Sequence, residues 1–177
     1  MRHTWFHVGI TALFVGSMML AGCGPAAPSA IKVGVNAELT GSIPVVGESC
    51  KNAAELAAKE VNDAGGLDVG GKKYTIELQV EDNEDKAESA AAAAQKLVTA
   101  GVIAMVGPNA SRNAIPAAEV AESSKMPMIS PWSTNVKTTI DAKTGAPKKY
   151  VFRAAFIDSF QGQVAARFAM DQLKTTK

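Results

Sequence analysis

The chain has 177 residues, 47% hydrophobic and 20% charged, with a formal net charge of +1. That length and balance describe one globular domain with a real core rather than a disordered protein, and nothing in them favours a basic nucleic-acid binder. Its two histidines, His3 and His7, stand at the extreme N-terminus. The body of the chain therefore lacks histidine, which excludes Ser–His and Cys–His nucleophiles, histidine acid–base chemistry and most zinc sites. No residue pattern calls for a metal or an organic cofactor.

Residues 1–22 have the layout of an export signal: Arg2 at a basic start, an apolar run from Val8 to Leu20, then small residues. The apolar run is shorter than the roughly 18 residues a spanning helix needs. Leu20-Ala21-Gly22-Cys23 resembles a bacterial lipobox, which implies that Cys23 becomes the first residue and carries lipid. The alternative is a plain secretory signal in which Cys23 has no role. Residues 23–30 are then the lipidated cysteine and a flexible tether, whose residues 24–30 reach about 23 Å when stretched. Cys50 is left without an internal partner. Its helical spacing with Ala53, Ala57 and Val61 marks it as a small buried apolar residue.

The folded body starts at Ile31. Residues 31–37 alternate as a strand and run into the polar loop Glu38–Ser42. Pro44 opens a long helix over roughly residues 45–64, closed by Gly65-Gly66. Residues 73–80 alternate cleanly as a second strand. The acidic run Glu81–Asp85 reads as a solvated loop ending in a capping box between Asp85 and Glu88. A cation site there lacks the alternating ligands of a calcium loop. An Ala-rich helix from about Lys86 to Ala100 leads to the apolar run Val102–Val106, predicted as a central strand covered on both faces.

Gly107-Pro108 turns the chain into Asn109–Asn113. Pro116 belongs in a first helical turn, so the next helix is predicted to start near Asn113, its N-cap. Ser111 then lies beside unpaired N–H groups at the positive end of the helix dipole, a seat for an anion. Residues 126–130 form a fourth strand followed by the polar loop Pro131–Asn135. Residues 137–149 are turn-rich, residues 150–153 are a fifth strand, and a last helix runs from Asp158 to about Leu173. Such alternation predicts an α/β fold, a parallel sheet with helices on both faces. Ligands of such sheets sit at the carboxyl ends of the strands. Three polar loops qualify: Leu39–Ser42, Pro108–Asn113 and Pro131–Asn135.

The series Ile-Lys-Val-Gly-Val…Leu-Thr-Gly-Ser, Ala-Ala-Lys-Glu-Val-Asn-Asp-Ala-Gly-Gly, Val-Gly-Pro-Asn-Ala-Ser, Ile-Ser-Pro-Trp-Ser-Thr-Asn and Phe-Arg-Ala-Ala-Phe-Ile-Asp-Ser-Phe-Gln-Gly resembles the leucine/isoleucine/valine-binding proteins of bacterial ABC importers, the type I periplasmic binding fold. The resemblance implies a lipid-anchored, exported receptor that clamps an α-amino acid and hands it to ABC permease subunits. It puts the Ser111 hydroxyl on the ligand carboxylate. It has Thr134 offer its N–H to the carboxylate and its hydroxyl to the ammonium, and the Trp132 carbonyl accept from the ammonium. Ser133 falls within the same loop, and Asp158 lies at the family's crossover between lobes. A zwitterion needs such donors at one end and acceptors at the other.

Each residue also has a plainer reading. Ser111 serves to cap the helix, Thr134 stabilises its own turn, Trp132 walls the pocket or packs on its loop, and Asp158 caps its helix. Arg112 either meets an anion or lies on the surface, and Arg153 is a structural ion-pair partner. Val45-Val46 stands where the family often has an aromatic residue, so a branched-chain or other hydrophobic amino acid is the leading ligand. Residues 31–177 supply one lobe and the second is absent. Three or four charge-assisted bonds of about 1.5–3 kcal/mol each then barely offset an association cost of about 4–15 kcal/mol, which predicts millimolar binding or weaker. Competing readings are a sensory domain of the same fold signalling to a receptor, and an inactive truncated fragment. An enzyme using Ser111 as nucleophile lacks a base.

Overall fold

A computed structural model describes residues 29–175. The expected signal, Cys23 and the tether up to residue 28 lie outside the described residues. Ser29 and Ala30, expected as tether, already pair as strand with Tyr74 and Thr75.

The sheet is built from β1 (Ser29–Ala37), β2 (Leu67–Val69), β3 (Lys72–Asp82), β4 (Ala104–Val106), β5 (Met128–Ser130) and β6 (Val151–Arg153). Its order is β2-β3-β1-β4-β5-β6. All neighbours run parallel except β2, a short antiparallel edge strand on β3. The expected α/β fold with a parallel sheet is therefore present. The sequence reading had no place for β2: its three residues are all exposed, so no apolar alternation marks them.

Three helices connect strands, α1 (Pro44–Asp63), α2 (Ala87–Thr99) and α3 (Ser111–Ser123), and α4 (Asp158–Asp171) follows β6. Pro44 opens α1 in the first turn, where its missing N–H is one the helix does not use. α2 and α3 pack together on one face of the sheet. Their alanines, among them Ala94, Ala114 and Ala118, allow close approach over Met105, Met128 and Val151. On the other face α1 covers β1 and β3. There the expectation of a strand covered on both faces is only half met. Ile103 next to β4 is 60% exposed, and Ile129 and Phe152, neighbours in register on β5 and β6, are 41% and 54% exposed. α4 contributes no buried residue.

The carboxyl ends of β1, β4 and β5 stand side by side, since those strands are adjacent and parallel. The loops Leu39–Ser42, Pro108–Ala110 and Pro131–Asn135 leave the sheet from this shared edge. β1 and β4 close on each other with little space: a Cβ on Gly107 would sit 2.1 Å from the Asn36 carbonyl oxygen, and its φ of +87° favours glycine.

Candidate functional site

The start of α3 differs from the sequence expectation. The N-cap is Ala110, whose side chain caps nothing, and Ser111 is the first helical residue. Asn113 lies inside the first turn and is fully buried. Its amide nitrogen donates to Glu38 Oε1 at 3.0 Å and to Asp85 Oδ1 at 2.9 Å. Pro116 sits deeper in the helix than a first turn allows.

The anion at this helix start is part of the protein. The Glu38 side chain, fully buried, accepts from the main-chain N–H groups of Asn109 (3.1 Å) and Ala110 (3.0 Å) and from the Asn109 amide (2.7 Å). The predicted seat is thus shared: Glu38 takes the groups ahead of the helix. The N–H groups of Ser111 and Arg112 have no partner among the described residues.

Ser111 is half-buried and faces the next loop. Its Oγ accepts from Ser133 Oγ at 3.0 Å and from the Asn135 N–H at 3.3 Å. Ser133, 1% exposed, is bonded in turn to Thr138 Oγ1 at 2.6 Å. With Thr138 donating to Ser133, and Ser133 to Ser111, both acceptor positions of Ser111 are filled. Its own hydrogen is left to donate outward. Ser133 joins the cluster as the buried partner of Ser111.

Thr134 is half-buried beside it, and its carbonyl accepts the Asp158 N–H at 3.1 Å. Asp158 is exposed as the first residue of α4, whose N-cap is Ile157, so the expected cap role is not filled. Trp132 is 52% exposed. The structure therefore brings together Ser111, Trp132, Ser133 and Thr134, and ties Asp158 to them through one main-chain bond.

Arg153 shapes the third loop. Its guanidinium donates to the carbonyls of Ser133 (3.2 Å), Asn135 (2.8 Å) and Val136 (3.2 Å), and to Thr139 Oγ1. It is a clamp on carbonyls rather than the expected ion-pair partner. Burial pushes its pKa down, and the charge of nearby Asp158 opposes that.

The acidic run is also not simply solvated. Asp82 accepts from the Leu39 and Thr40 N–H groups at 3.0 and 3.2 Å and from the Thr40 hydroxyl at 2.7 Å. Burial would raise its pKa, and these bonds lower it. Asp85 makes no capping box; α2 has Lys86 at its N-cap and no side-chain cap. Instead Asp85 accepts from Arg112 Nε at 2.9 Å, from Arg112 Nη2 and from Ser42 Oγ. Burial alone would raise its pKa, but the bonds from Arg112, Ser42 and Asn113 hold it well below the carboxylate range. Cys50 is half-buried rather than buried as its spacing suggested, and burial pushes its thiol pKa up. Glu38, Asp82 and Asp85 were missed as site residues because their partners lie 27 to 75 residues away along the chain.

Hydroxyls and amides thus gather at the carboxyl tips of a parallel sheet, the place where ligands of such sheets sit. A family model described as "Periplasmic binding protein" matches residues 30–177. A Leu/Ile/Val-binding protein, BraC3, from Rhizobium johnstonii is 33% identical over 165 residues, 93% of this chain and 42% of the relative. The leucine-specific-binding protein of Salmonella typhimurium is 31% identical over 94% of this chain and 41% of its own length. The branched-chain amino acid transporter substrate-binding protein LivJ from Streptococcus pneumoniae, solved with isoleucine, superposes with a TM-score of 0.71 at 35% identity, covering 82% of this chain and 39% of that one. The chain belongs to the periplasmic binding protein family, and the relatives it is similar to include leucine-, isoleucine- and valine-binding proteins. It spans about two fifths of the length of these relatives.

Proposed function

We propose that this chain is the first lobe of the substrate-binding lipoprotein of an ABC importer and that it takes a branched-chain or other hydrophobic α-amino acid. Ser111 donates its hydroxyl hydrogen to the ligand carboxylate, joined by the N–H of Thr134. The Trp132 carbonyl and the Thr134 hydroxyl accept from the ammonium. Asp158, at the start of α4, adds a negative charge on the ammonium side, and Ser133 holds Ser111 in place. Lipid on Cys23 anchors the protein at the membrane, facing the periplasm or cell envelope, where ABC permease subunits receive the ligand.

One observation carries this reading: Ser111 Oγ accepts from both Ser133 and Asn135, so its own proton is directed away from the protein. The relatives that bind leucine, isoleucine or valine supply the ligand class. The test is a titration of L-leucine followed by amide chemical shifts. Saturable shifts at Ser111, Thr134 and Asn135 with a millimolar Kd are expected. Ser111→Ala is expected to weaken binding about tenfold, the loss of one hydrogen bond to a charged group. Shifts confined to residues remote from the strand tips would refute the site.

A further inference from the structure

The start of α3 is held in an unusual way. A helix ordinarily caps itself with a Ser, Thr, Asp or Asn at the N-cap, whereas this one has Ala110 there. The missing acceptor comes from Glu38, 72 residues earlier, at the tip of β1. Its Oε1 takes the N–H groups of Asn109 and Ala110 and the Asn113 amide, and its Oε2 takes the Asn109 amide at 2.7 Å. Asn113 uses its nitrogen for both Glu38 and Asp85, which leaves Asn113 Oδ1 without a partner and shows that two carboxylates dictate its orientation.

The backbone of Glu38 has no room to move. A Cβ on Gly47 of α1 would lie 2.1 Å from the Glu38 carbonyl oxygen. A buried carboxylate with no cation in hydrogen-bond contact is costly unless its donors are complete. Four neutral donor groups and the helix dipole meet that need here. A serine at position 110 would cap the helix without any of this. What Glu38 adds is a rigid link between the first and second strand-end loops.

We propose that Glu38 is a positioning residue for ligand capture: its buried carboxylate fixes the main chain at Asn109 and Ala110 and so sets where Ser111, the next residue, presents its hydroxyl. This rests on the amino-acid reading of the site. It predicts that the negative charge of Glu38, though it repels a ligand carboxylate, helps binding through geometry.

The test compares wild type with Glu38→Gln, which keeps the shape and, with a flip of the Asn109 amide, most of the bonds. The amide proton resonances of Asn109 and Ala110 are expected to move upfield as the acceptor loses charge, and those of Ser111 and Asn135 to shift with them. L-Leucine affinity is expected to fall about fivefold, as three or more bonds to a charged acceptor become neutral ones. A core variant remote from the site, Leu97→Val, should lower the melting temperature and leave affinity unchanged. An unchanged or tighter leucine Kd in Glu38→Gln would overturn the proposal. If wild type shows no leucine response, the amino-acid reading falls. The ligand-free shifts of Ser111 and Asn135 then still decide the positioning claim, and their staying in place would overturn it. Should Glu38→Gln fail to fold, Asn109→Ser keeps the charge and removes only the donor on Glu38 Oε2, and the resonances of Ala110, Ser111 and Asn135 are expected to move by less; no movement would again overturn the proposal.

Discussion

Asp85 ties Ser42 of the first loop to Arg112 at the start of α3, and replacing it tests how the first and second loops are joined. Its side chain is 3% exposed against 53% for Arg112. Asparagine is the informative replacement, because Asp85 has φ 57°, a conformation that Asn tolerates and most residues do not. In Asp85→Asn the remaining oxygen still serves Arg112 Nε and Asn113, while the amide nitrogen faces Arg112 Nη2 and Ser42. The bonds from Arg112 Nε and Asn113 drop from charged to neutral strength, the one from Arg112 Nη2 is lost and the Ser42 hydroxyl turns to accept, at about 1 kcal/mol for each of the first three, and the exposure of Arg112 trims the ion-pair share. The expected loss is about 2 kcal/mol, or about 4–8 °C in melting temperature for a chain of this size. The sign of the pH dependence follows from the depressed pKa. Asp85 titrates near 3.9 when unfolded and well below that when folded. Its stabilisation is therefore complete above about pH 5 and declines as the pH falls through 4 and below. Melting curves of both proteins from pH 7 to pH 3 should show a gap that is constant above pH 5 and narrows below it. A gap as wide at pH 3 as at pH 7, or one under about 1 °C at pH 7, would refute the reasoning.

Two further substitutions probe the frame of the site. Gly107→Ala forces a Cβ to 2.1 Å from the Asn36 carbonyl at φ +87°. A loss of more than about 4 kcal/mol is expected, seen as insoluble protein or a lost near-ultraviolet circular dichroism signal; a soluble variant melting within a few degrees of wild type would contradict the packing described. Arg153→Lys keeps the charge but not the fork that reaches Ser133, Asn135, Val136 and Thr139. A melting temperature lower by about 4–8 °C, from two lost bonds of about 1 kcal/mol each, is expected together with faster hydrogen exchange at the Thr138 and Thr139 amides. Unchanged exchange there would remove Arg153 from its role as a clamp.

The parts of the fold that rest on local periodicity were legible in the sequence. The alternation of residues 73–80, Pro44 and the Ala-rich run before Val102 locate β3, α1 and α2 to within a residue or two. So do the hydroxyl-bearing loops, because strand ends in a parallel sheet must gather on one edge. The misreadings share one cause. Asn113 has the chemistry of an N-cap and Asp85 that of a capping box, and local rules assign them so. In the folded chain both are drawn into a network with Glu38 and Arg112. A buried carboxylate recruits the nearest donors in space, and spacing along the chain does not show which these are. β2 was missed for a different reason: an exposed edge strand of three residues has no buried side to imprint a pattern.

The same network explains what a single lobe contributes to binding. Arg153 fixes the third loop, and Glu38 and Asp85 fix the first and second. Ser111 and Thr134 are therefore held in place by protein groups, and a ligand has little ordering of loops to offset. The weak binding proposed for this lobe then follows from how few bonds one side of a ligand can make. Added contacts from a facing lobe would convert to affinity with small further cost, whereas loosening an anchor would weaken binding without removing any contact to the ligand. Glu38→Gln and Arg153→Lys are predicted to share that signature, and Ser111→Ala is not, because it removes the contact itself.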